Sequence, residues 1–150
     1  MHNHSNASRI RATAFAAAFG AAVPLYAADP LPPEHTRGAV VYRSGGIGAG
    51  ESAAMQAAAG RYPLEVLFAQ RDESGAAAYE AGARLAIRDA GGKEVLSTVS
   101  EGPFLLARLP AGRYTLTAWR NGNAKTRTVT IGQQHVRVVF EWGQDHDPGR

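Results

Sequence analysis

The sequence predicts a mainly β protein: an antiparallel sandwich of about seven strands, preceded by one short helix. Three observations carry that expectation. From Tyr62 to Trp142 the apolar residues alternate with polar ones, as strands with one buried face require. The alternating runs recur at about 8–12-residue spacing, separated by turn signals. Two of those signals are Gly91-Gly92, a hairpin turn signal, and Asn121-Gly122, a two-residue hairpin signal.

The elements follow in order. Asp29–Arg37, with Pro30, Pro32 and Pro33, reads as an extended proline-rich linker over residues 28–37. Ala39–Tyr42 is short and β-prone, and Glu51–Ala59 is built almost wholly of good helix formers, ending at Gly60. Tyr62–Gln70 puts Leu64, Val66 and Phe68 on one face. Arg71–Gly82 reads as a loop. Ala83–Ala90, Glu94–Ser100, Phe104–Leu109, Tyr114–Arg120, Ala124–Ile131 and Val136–Trp142 complete the strands. The single domain is expected over 38–142, with a flexible tail over 143–150.

The first 27 residues read as a signal peptide. Arg9 and Arg11 form a basic start without acids, Thr13–Leu25 is an uncharged alanine-rich run, and Leu25-Tyr26-Ala27 ends on small-residue lines. An N-terminal anchor is the competing reading, but a spanning helix needs about 20 apolar residues and Pro24 interrupts this shorter run. Cleavage follows Ala27 or Ala28. Arginine outnumbers lysine and the signal is short, which suits bacterial export and a periplasmic destination. No membrane span is expected afterwards. The chain has no cysteine, which excludes disulfides, zinc–thiolate sites and a cysteine nucleophile.

Loss of Arg9 and Arg11 lowers the formal charge from +3 to +1. The remaining charge is uneven. Between Glu101 and Glu141 there is no acid, whereas Arg108, Arg113, Arg120, Lys125, Arg127 and Arg137 all lie there. Such asymmetry marks an anionic partner. A solvated sheet face carrying arginines for solubility is the plainer explanation of the same pattern.

A two-residue loop at Asn121-Gly122 fixes a register: Arg120 opposite Asn123, Ala118 opposite Lys125, Leu116 opposite Arg127, Tyr114 opposite Val129. Arg113, Thr115, Thr117 and Trp119 then share the other face with Thr126, Thr128 and Thr130, a pattern suited to a solvated pleat. Arg127 is the misfit on the side of Leu116, and rim placement would let its head reach water.

Residues 81–131, "AGARLAIRDAGGKEVLSTVSEGPFLLARLPAGRYTLTAWRNGNAKTRTVTI", closely resemble the carboxypeptidase regulatory-like domain. The matching features are Gly82-Ala83 opening a strand, the two-glycine turn, a threonine-rich strand into a Gly-plus-aromatic step at Thr98–Phe104, "L-P-x-G-x-Y" at Leu109–Tyr114, and the closing "TRTVTI". Pro103 is inserted where that family more often continues directly. The resemblance implies an immunoglobulin/transthyretin-like sandwich and an accessory domain without catalytic residues. The upstream part is similar to small exported bacterial proteins that carry this domain alone.

Candidate chemistry is sparse. Gly48-Ala-Gly-Glu-Ser-Ala53 satisfies the loose dinucleotide pattern, but no parallel α/β sheet follows, and Glu51 would compete with a phosphate for the helix amides. Asp145-His146-Asp147 could offer metal ligands, yet a polar tail supplies no second shell. No serine sits in a nucleophile elbow. No enzyme activity, cofactor, metal or nucleic-acid partner is expected. The expected function is a non-catalytic periplasmic accessory domain that presents a sheet face to an envelope protein or an anionic surface polymer. Its candidate face is Arg113, Thr115, Thr117, Trp119, Arg120, Thr126, Thr128 and Arg137. Trp119 either belongs to a recognition surface or covers a sheet edge; stacked on a sugar, it would make the chain a carbohydrate-binding module.

Overall fold

The computed structural model describes residues 31–143. The expected signal peptide, residues 28–30 of the linker and 144–150 of the tail lie outside them. Ten strands and one helix form: β1 His35–Arg37, β2 Val40–Gly45, α1 Ala49–Ala59, β3 Leu64–Arg71, β4 Ala77–Tyr79, β5 Arg84–Arg88, β6 Glu94–Val99, β7 Phe104–Arg108, β8 Gly112–Arg120, β9 Asn123–Ile131 and β10 Val136–Trp142. They make two sheets. Sheet A has the order β1-β2-β7-β3-β10, with β4 also on β3; sheet B has the order β6-β5-β8-β9.

The inner faces pack on each other through Leu64, Val66, Phe68, Leu85, Ile87, Leu105, Leu116 and Phe140, all fully buried. The period-two pattern was therefore a burial pattern. In the Leu109–Tyr114 corner both named residues are buried, and the Tyr114 hydroxyl donates to the Pro110 carbonyl at 2.7 Å, tying the turn to the strand after it.

Four expectations are corrected. The described residues form ten strands: besides the seven alternating runs and the β-prone Ala39–Tyr42 that becomes β2, there are β1 and β4, three-residue stretches too short to show a period of their own. The sandwich is not wholly antiparallel: β10 runs parallel to β3 from Val136↔Leu64 to Trp142↔Gln70. Parallel pairing needs a long crossover, and here the whole of sheet B lies between the two strands. Residues 31–37 are no linker. Leu31 packs on the cluster beneath α1, Pro32 is buried, and β1 pairs with β2. Finally, α1 begins at Ala49, two residues ahead of the expected Glu51. Met55, Ala58 and Ala59 seat it on the outer face of sheet A, over Leu67, Phe104 and Leu106.

The glycine-rich stretch before α1 works as a connector. Gly46 and Gly48 hold φ of 102° and 82°, conformations costly for any residue with a Cβ. No side chain caps the helix at Gly48; instead the Glu51 carboxylate reaches back and accepts the Gly46 N–H at 2.6 Å. An acid thus occupies the position a phosphate would need.

Candidate interaction face

The outer face of sheet B carries no helix or strap among the described residues. Its composition can be read from the registers, since residues paired across strands share a face. The first row is Val99–Arg84–Trp119–Ala124, the next Ser97–Ala86–Thr117–Thr126, the third Glu94–Arg88–Thr115–Thr128, and the last Arg113–Thr130. The pairing of β8 with β9 is the one the Asn121-Gly122 turn predicts, residue for residue. Asn121 and Gly122 take φ of 46° and 79°, the two positive values of a type I′ turn.

Trp119 is half-buried, and the Arg84 guanidinium lies 5.1 Å from its ring centroid. Thr117 and Thr126 hydroxyls meet at 3.2 Å across the strands. Val99, 57% exposed, extends the apolar end of the first row. Arg84, Arg88 and Arg113 form no ion pair within the described residues. The face therefore presents three uncompensated guanidiniums around a tryptophan and a field of threonines, with Glu94 its one carboxylate.

Two expected members of this face are elsewhere. Arg120 pairs with Asn123 and so points to the inner side, with Ala118 and Leu116. There it bonds the Glu80 carboxylate at 2.8 Å and Gln70 Oε1 at 2.9 Å, tying sheet B to β3 of sheet A. Its Nε is buried without a partner, so its head is fixed by the fold and is not offered to a ligand. Arg137 lies on β10, beside Glu65 at 3.6 Å, on the outer face of sheet A. Grouping by charge brought these two to the face; strand parity and sheet membership remove them. Arg84 and Arg88 take their place. The sequence signal for both was their alternation against Leu85 and Ile87, but the pairing of β5 with β8 that sets Arg84 against Trp119 is non-local.

The outer face of sheet A holds charges that are already partnered. Glu34 Oε1 accepts from the Tyr62 hydroxyl at 2.7 Å and from Arg108 at 2.9 Å, with Arg43 at 3.4 Å. The Tyr62 hydroxyl bond, then the Arg108 bond, hold the Glu34 carboxyl below its ordinary range. Arg108 also stacks over the Tyr62 ring, 4.3 Å from its centroid. Glu65, buried, lies 3.1 Å from His135 Nε2, while His135 Nδ1 is 2.7 Å from the Tyr62 carbonyl. The ring thus bridges the Tyr62 carbonyl and the Glu65 carboxylate. No local pattern in the sequence signals this contact, because Glu65 is seventy residues from His135.

Among the described residues no three His, Asp or Glu side chains are placed to hold a metal, and no helix is long and apolar enough to cross a membrane. A recess of about 540 Å³ at the far end of the sandwich is lined by Arg37, Asp89, Glu94 and Tyr114, among others. Its Asp89 Oδ1 is engaged by the Gly91 and Lys93 amides of the hairpin turn.

No family model matches this chain, and no curated protein matches it. The functional reading therefore rests on the face itself.

Proposed function

We propose that this chain is a non-catalytic accessory domain, exported to the periplasm, that binds an anionic envelope partner through the outer face of sheet B. The observation that carries this reading is the set of guanidiniums at Arg84, Arg88 and Arg113, which form no ion pair among the described residues, on a sheet face that no described element covers. Arginine forks suit carboxylate and phosphate groups, and tryptophan beside arginine is a frequent centre of binding energy. The carboxypeptidase regulatory-like resemblance supports the same accessory role. The partner is an envelope protein or a surface polymer rich in acids.

Sugar stacking on Trp119 is the weaker use of the face, because Arg84 occupies one side of the ring. The two uses separate in one titration. A pull-down from envelope extract with wild type and the Trp119→Ala and Arg84→Ala variants should lose the partner in both variants, with the fold intact by circular dichroism. Undiminished capture by both variants sinks the proposal. Saturable quenching of tryptophan fluorescence by a neutral glycan would instead establish the carbohydrate-binding module.

A further inference from the structure

We propose a second interaction surface, distinct from the sheet B face: the free edge of β9, which accepts an extended acidic strand. β9 is nine residues long and ends its sheet, pairing only with β8 among the described residues. Its exposed backbone can be assigned. In a two-residue type I′ hairpin, Arg120 and Asn123 form the hydrogen-bonded closing pair, and bonded pairs then alternate. Lys125, Arg127 and Val129 bond across to β8, so Ala124, Thr126, Thr128 and Thr130 turn their N–H and C=O groups to the open edge.

One side chain guards that edge. Arg127 donates from Nη1 to the Thr126 carbonyl at 3.0 Å, folding back along its own strand to cover one of those open acceptors. Arg127 also stands at a position opposite buried Leu116, yet is itself exposed. It has no carboxylate partner among the described residues, and Lys125 stands beside it on the same side.

This arrangement selects its occupant by charge. A second copy pairing antiparallel through β9 would set the Lys125 and Arg127 pairs of the two copies against each other, which is destabilising. A strand with carboxylates at alternate positions would draw the Arg127 guanidinium off the Thr126 carbonyl and form backbone bonds to the four open residues. Backbone pairing supplies affinity in such strand addition, and the alternate side chains supply selectivity.

The test uses the full-length chain and a peptide as long as β9 that alternates glutamate with threonine, against its lysine counterpart. Amide hydrogen exchange is followed by NMR. The glutamate peptide should slow exchange at Ala124, Thr126, Thr128 and Thr130, and the lysine peptide should not. Arg127→Glu should weaken the effect about tenfold or more, while Trp119→Ala leaves it unchanged. Core β5 amides, protected throughout, report that each variant is folded. Equal protection by both peptides, or none by either, overturns the proposal. So does self-association of Arg127→Ala without protection of wild type by the glutamate peptide, the signature of an edge that is only guarded.

Discussion

The two outer faces of this sandwich use their charged residues in opposite ways. On sheet A, Glu34, Glu65, Arg43, Arg108, His135 and Arg137 satisfy one another, and α1 with the segment from Leu31 covers the apolar remainder. On sheet B, Arg84 lies over Trp119, but among the described residues Arg84, Arg88 and Arg113 form no ion pair and no element covers them. A charge that is paired and half-buried belongs to folding; a charge left open on a bare pleat is available to a partner. Half of the basic asymmetry seen along the sequence is thus taken up by the fold, since Arg108, Arg120 and Arg137 have internal carboxylates.

The contrast can be broken first where its energy is largest. Met55→Ala, which empties the fully buried contact of α1 with sheet A, should cost about 2–5 kcal/mol by urea denaturation. A loss within the range of surface substitutions would show that the helix is not integral to the domain. Glu65→Ala comes next. It removes a buried carboxylate whose partners, His135 and Arg137, can turn to water, and should cost about 1 kcal/mol. On the bare face, Thr128→Ala should change stability by no more than about 0.5 kcal/mol. If the face B variant were as damaging as the face A ones, the two faces would not differ in the way described.

Acid sensitivity sharpens the same comparison. Glu34 is held below its ordinary pKa of 4.5, so its contribution is present above that value and disappears as pH falls through the lowered one. Glu34→Gln should therefore destabilise at neutral pH and converge with wild type in strong acid, as followed by thermal melts at stepped pH. A gap that stays constant across that range would mean that charge at Glu34 is not what fastens the N-terminal segment. The effect should be small, since the carboxyl is solvent-accessible.

How much of this could be read from the sequence differs by residue for a physical reason. The β8–β9 register was legible because Asn121-Gly122 encodes its own turn, and a two-residue loop leaves no freedom in pairing. Parity alone also placed Arg120 with Ala118, although its charge drew attention to the wrong side. What could not be read is non-local. Nothing in Val136–Trp142 states that it will lie parallel to Leu64–Arg71, and nothing in His35–Arg37 states that β2 will pair with it. Three-residue strands show no period; their partners create them. Arg84 was invisible as a site residue for the same cause, since only the fold sets it over Trp119.

The most direct measurement is a titration of the isotopically labelled full-length chain with polyglutamate, mapped by amide chemical shifts at low and high salt. Shifts should concentrate at Arg84, Arg88, Arg113, Thr115, Thr117 and Trp119, leave α1 and the Glu34–Tyr62–Arg108 cluster still, and fade as salt screens the contact. Shifts centred on the outer face of sheet A, or none at low salt, would contradict the assignment of binding to the bare face of sheet B.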